Sequence, residues 1–123
     1  MALQESGEMY LETIFLLSKA NGSVRAIDVA NYMGLSQASV SRAVHLLRDD
    51  GYLELGPSRR LLLTKSGMSA AKKVYDRHVI LSAFLKEIGV SDPVASDDAC
   101  KLEHYMSDET FRAIRRHLKT IHS

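Results

Sequence analysis

The stretch Gly34-Leu35-Ser36-Gln37-Ala38-Ser39-Val40-Ser41-Arg42-Ala43-Val44-His45-Leu46-Leu47-Arg48-Asp49-Asp50-Gly51 decides the fold. Ser36 is placed to cap a helix, and Gly51 to end it. Val40, Val44 and Leu47 recur on one face of that helix, at the spacing of a buried stripe. Ser39, Ser41, Arg42 and His45 fall mostly off that face. Gly34, just before, sits where the chain must turn sharply. A second, shorter helix over 25–33 precedes the turn, with Ile27, Ala30, Tyr32 and Met33 expected to face inward.

Outward from this unit the pattern is consistent. Residues 8–20 predict a helix, with Leu11, Ile14, Phe15 and Ser18 at i, i+3, i+4 and i+7. Asn21-Gly22-Ser23 ends it with turn chemistry. After Gly51 the period falls to two: Tyr52–Leu55 and Arg60–Leu63 predict short strands, joined as a hairpin through Gly56-Pro57-Ser58-Arg59. Thr64 is placed to cap a long helix to about Ile88. Asp92-Pro93 predicts an N-cap followed by an N1 proline, with a helix to about Met106. Ser107-Asp108-Glu109 supplies a cap and a first-turn acid pair for a last helix.

The fold class that follows is mainly α. A winged helix-turn-helix of three helices and a two-stranded wing occupies 1–64, and a helical domain occupies 65–123. The chain has 123 residues, 46% of them hydrophobic, enough for a real core without staples. One cysteine, Cys100, excludes an intramolecular disulfide and a paired-cysteine zinc knuckle, and fits a reducing, cytoplasmic setting. No apolar run reaches the ~20 residues of a membrane span, and the N-terminus lacks the basic and apolar regions of a signal peptide. No membrane partner is expected.

The net charge of +1 hides an asymmetry. Residues 1–12 carry −3, residues 35–81 carry +4, and residues 87–104 carry −4. The basic middle holds the helix-turn-helix. Such a motif binds duplex DNA by presenting short polar and basic side chains at the start of its second helix. Ser36, Gln37, Ser39, Ser41 and Arg42 stand there. Arg reads guanine through a bidentate pair, Gln can read adenine, and hydroxyls suit phosphates. Arg59 and Arg60 at the wing tip, and Arg25 at the start of the second helix, are further backbone contacts. Each residue alone has a plain reading as a cap or a solvated charge; their order along the chain favours the DNA reading over a protein-binding winged helix.

The acidic segment holds a second constellation. Cys100, Glu103 and His104 lie at i, i+3 and i+4, which on a continuous helix puts all three on one face. A thiolate, a carboxylate and an imidazole make a partial ligand set for a transition metal. Met9 and Glu12, at i and i+3 on the first helix, and His78 on the long helix are the segments able to complete it.

With these residues in place, the chain resembles the diphtheria toxin repressor and manganese transport regulator family of metal-dependent repressors. The matching stretches are Glu8–Ile14, Val24–Gly51, Leu63-Thr64 with Gly67, Arg77-His78, and Asp98–Glu109 with its Ala-Cys-x-x-Glu-His core. The resemblance implies that Met9, Cys100, Glu103 and His104 correspond to the primary metal site of the iron-responsive branch. Glu12 and His78 correspond to the paired-metal site of the manganese-responsive branch. It also implies a homodimer through the C-terminal helices, bound to a pseudo-palindromic operator. Leu81, Phe84, Leu85, Ile88, Leu102, Met106, Phe111, Ile114 and Leu118 supply apolar surface for core and interface together. By length the expected form is the shorter one, without the C-terminal SH3-like domain of the iron branch.

The expected function is a metal-activated DNA-binding repressor of metal-homeostasis genes, and not an enzyme. Soft Met9 and Cys100 favour Fe2+ as co-repressor over Mn2+, with Co2+, Ni2+ or Zn2+ substituting in vitro. The alternatives are a manganese-responsive regulator and a winged-helix regulator sensing a small molecule or zinc. A metalloenzyme needs an open coordination position and a general base, and no spare base accompanies the cluster.

Overall fold

The computed structural model describes residues 5–122 and is mainly helical. Six helices run in order: α1 (Glu5–Asn21), α2 (Ala26–Met33), α3 (Gln37–Asp49), α4 (Lys65–Glu87), α5 (Asp92–Leu102) and α6 (Asp108–His122). Strands β1 (Leu53–Leu55) and β2 (Leu61–Leu63) separate α3 from α4. The chain forms two compact units that divide after Lys72.

In the N-terminal unit α1, α2 and α3 surround a core of Leu11, Ile14, Phe15, Val29, Ala30, Val40, Val44 and Leu47. Each such side chain contributes about 1.5–3 kcal/mol when fully removed from water, less for the smaller ones. Ser36 caps α3: its hydroxyl accepts the Ser39 N–H at 3.1 Å. Gly34 adopts φ 69°, the left-handed turn conformation that glycine takes without a steric penalty. α2 differs from expectation. Val29 and Ala30 face inward, while Ile27 and Tyr32 are 40% and 60% exposed. Eight residues make barely two turns, so one pair of inward positions satisfies the packing.

β1 and β2 pair antiparallel, with Leu53 opposite Leu63 and Leu55 opposite Leu61. Leu53 and Leu61 are buried, and Glu54 and Leu62 alternate outward. Each strand is one residue shorter than the sequence pattern predicts. β2 is tied back to the helical layer by the Leu61 N–H, which donates to the Val24 carbonyl at 2.7 Å. The wing tip is a single 3-10 turn, Pro57–Arg59, closed by Gly56 N–H donating to Arg60 O at 2.8 Å. Ser58 and Arg59 hold φ near +60°, a conformation uncommon for residues with a Cβ.

Thr64 caps α4 as expected, its hydroxyl accepting the Gly67 N–H at 3.1 Å and donating to Gly51 O at 2.6 Å. Gly67 is fixed by close approach: a Cβ there would lie 2.0 Å from the Tyr52 carbonyl oxygen.

The C-terminal unit contains most of α4, then α5 and α6. Its buried side chains include Val74, Leu81, Ala95, Ala99, Phe111 and Leu118. Three boundaries depart from expectation or refine it. The N-cap of α5 is Ser91, which puts Asp92 and Pro93 in the first turn as N1 and N2. α5 stops at Leu102, short of the expected Met106; Glu103 is its C-cap and Glu103–Tyr105 form a turn. Ser107 then caps α6 by accepting the Thr110 N–H at 3.2 Å, with Asp108 and Glu109 in the first turn.

Candidate metal centre and nucleic-acid interface

α5 ends between Cys100 and Glu103, although Glu103 keeps helical dihedrals. Cys100 is exposed on α5, while Glu103 and His104 sit in the turn that follows. The Glu103 side chain is fully buried and that of His104 is 1% exposed.

His78, midway along α4, meets this turn. Its Nδ1 lies 3.0 Å from Glu103 Oε2. The other carboxylate oxygen, Oε1, lies 3.4 Å from His104 Nε2. Glu103 is therefore a buried carboxylate bracketed by two imidazoles. An ionised carboxylate can only accept, so toward such a carboxylate His78 donates through Nδ1. This is the arrangement in which a hydrogen bond orients a metal-ligating carboxylate.

A buried charge is costly unless it is paired and hydrogen-bonded. Glu103 Oε1 is buried without a hydrogen-bond partner among the described residues. One carboxylate with unused acceptor capacity beside two imidazoles is a donor set suited to a divalent first-row metal. The residues present fit such an ion: Glu103 Oε1 and His104 Nε2 would hold it, and His78 would fix the carboxylate through Oε2.

Met9 and Glu12 are half-buried on α1 in the N-terminal unit.

The N-terminal unit carries a second candidate surface. α2, α3 and the wing enclose a groove of about 550 Å³. Arg25, Gln37, Ser41 and Arg59, four of the expected DNA contacts, line it. So do His45 and Arg48, which the residue pattern did not single out. Their signal was available: Ser41, His45 and Arg48 stand at i, i+4 and i+7 of α3, one continuous face. Arg42 is exposed on α3 outside the groove lining, and Arg60 is half-buried at the start of β2. Ser36 and Ser39 bond to each other, hydroxyl to hydroxyl at 2.9 Å, as part of the α3 cap. The three arginines give the groove a cationic lining suited to phosphate.

A winged helix-turn-helix followed by a helical unit with a carboxylate–imidazole cluster defines a class, the metal-responsive DNA-binding regulators. The comparisons with known proteins make this specific. Residues 2–61 match the N-terminal DNA binding domain of iron dependent repressors. Residues 64–123 match the metal binding and dimerisation domain of the same proteins. The chain is 33% identical over 115 residues to an uncharacterised HTH-type transcriptional regulator of Methanocaldococcus jannaschii, covering 92% of each. It is 37% identical over 106 residues to the transcriptional regulator MntR of Escherichia coli O6:H1, covering 86% of this chain and 68% of that one. Among solved structures it resembles a manganese-dependent transcriptional repressor in complex with manganese, with TM-score 0.84 and 29% identity. That match covers 92% of this chain and 52% of the other, so the chain spans about half the length of that repressor. The chain belongs to the iron-dependent repressor family, whose members are DNA-binding transcriptional regulators and not enzymes. Among the described residues no helix is long and apolar enough to cross a membrane.

Proposed function

We propose that this chain is a repressor that binds operator DNA as a homodimer when a divalent metal occupies a site centred on Glu103. The observation that carries the reading is the buried Glu103 carboxylate between His78 and His104. The proposed ligand set is Glu103 and His104, with His78 orienting the carboxylate, completed by Met9, Glu12 and Cys100. DNA contacts are assigned to Arg25, Ser36, Gln37, Ser39, Ser41, Arg42, Arg59 and Arg60, with His45 and Arg48 added. The operator is a pseudo-palindrome, because a two-fold dimer presents two recognition helices one turn or a multiple apart. Ile88 and Leu102, 61% and 42% exposed, leave apolar surface on the C-terminal unit for that dimer.

The metal we assign is Fe2+, on the softness of Met9 and Cys100. Mn2+ is the second reading, favoured by relatives described as manganese regulators. Titration of the protein with Fe2+ (anaerobically), Mn2+ and Zn2+, for wild type and Cys100→Ala, tests the assignment. Because Cys100 is exposed, the variant should keep its fold. Weakened Fe2+ binding with Mn2+ binding retained supports iron. Identical binding of all three metals by both proteins removes Cys100 from the site.

A further inference from the structure

We infer that Arg77 is the positioning residue of the metal centre, holding the turn that carries Glu103 and His104 through three acceptors at once. The inference rests on the reading of Glu103 and His104 as metal ligands.

The need for such a residue begins with the end of α5. The last carbonyls of a helix have no partner within it. Here the Leu102 carbonyl takes the Tyr105 and Met106 N–H groups, and the carbonyls of the ligand-bearing turn, Glu103 and Met106, are met by a side chain instead. Arg77 answers from α4. Its Nη1 donates to Glu103 O at 3.2 Å and to Met106 O at 2.7 Å. Its Nη2 bonds Asp108 Oδ1, at the first position of α6. The side chain is 11% exposed, and its guanidinium lies 5.4 Å from the centre of the Phe111 ring. One planar cation thus spans the segment 103–108 at its start, middle and end.

Two features separate this from an ordinary ion pair. First, Arg77 and His78 are consecutive, and both act on Glu103. His78 meets its carboxylate and Arg77 its backbone carbonyl. Glu103 is therefore held at both ends from one point on α4. Second, His104 falls between the two carbonyls that Arg77 grips. A guanidinium can reach several acceptors in a fixed fork, which an ammonium on a flexible stem cannot match. Without the clamp, the turn must be ordered at the moment an ion binds, and affinity falls by that cost. Loss of groups that orient metal ligands typically weakens binding roughly 10–100-fold.

Titration of the full chain with Co2+, read by affinity and by visible absorption, tests this, using Arg77→Ala, Arg77→Lys and Glu103→Gln. Arg77→Ala is expected to bind Co2+ roughly 10–100-fold more weakly, with an altered absorption band because the ligand field is distorted. Arg77→Lys keeps the charge and should recover only part of the affinity. If Arg77→Ala does not fold, Arg77→Lys decides alone. Wild-type affinity and spectrum in Arg77→Lys, or in Arg77→Ala, overturn the inference, provided Glu103→Gln loses the metal. Full Co2+ binding by Glu103→Gln overturns instead the metal-site reading on which it rests.

Discussion

His78 Nδ1 lies 3.0 Å from Glu103 Oε2, joining the middle of α4 to the turn after α5. The contact places a histidine against a carboxylate that is itself fully buried. Burying an ionised carboxylate beside imidazoles makes sense when a cation completes the group.

Glu103→Gln tests this. The amide keeps the volume and removes the charge. We expect the melting temperature of the metal-free protein to stay within a few degrees of wild type or rise, since an incompletely paired buried charge stabilises little. We expect the stabilisation by metal to vanish. In wild type, an ion at a hundred times its dissociation constant adds about 2.7 kcal/mol, and a chelator should reverse it. Thermal melts of both proteins, with Mn2+ and with chelator, check this; an undiminished metal effect in Glu103→Gln contradicts it.

Arg48 and Arg59 line the groove beside α3 and are assigned to phosphate. Replacing either with alanine should weaken DNA binding across all sequences. The slope of log affinity against log salt should shrink by about 1 for each arginine removed from a phosphate. Fluorescence anisotropy at several salt concentrations measures it, and an unchanged slope removes that residue from the interface.

Arg42 is exposed on α3 near its start and is assigned to a base edge. Arg42→Ala should cost about 1–3 kcal/mol on the preferred sequence and relax the preference at one base pair. Selection from a random duplex pool, compared with wild type, reads this out. A uniform loss without relaxed preference would make Arg42 a phosphate contact.

Gly67→Ala tests the joint between the wing and α4. A Cβ would lie 2.0 Å from Tyr52 O, so the β1 end or the helix must move. Overpacking of this kind costs about 1–3 kcal/mol. Denaturant unfolding of the variant should show that loss, and unchanged stability would mean the close approach is readily relieved.

Much of this architecture was legible in the residues because most boundaries have a chemical marker. Ser36 and Gly51 bound α3, Thr64 opens α4, and Ser107 opens α6. The end of α5 was not legible. Cys100-x-x-Glu103-His104 has helical spacing, and Glu103 keeps helical dihedrals at φ −60° and ψ −24°. After Leu102 the Tyr105 and Met106 N–H groups share one carbonyl, Ser107 turns to capping α6, and Arg77 takes the Glu103 and Met106 carbonyls. The last two are downstream or tertiary. The His78–Glu103 contact spans 25 positions, and no local pattern predicts it. The groove residues His45 and Arg48 were within reach, because they continue the face that Ser41 begins.

The central claim is that metal controls DNA binding through Glu103. Its most direct measurement is DNA affinity, on a duplex selected from a random pool with metal present, for wild type and Glu103→Gln with Fe2+ or Mn2+ and with chelator. The account predicts tight binding by metal-loaded wild type only, with chelated wild type and both states of Glu103→Gln alike and weak. Equal affinity of wild type in metal and in chelator would contradict it.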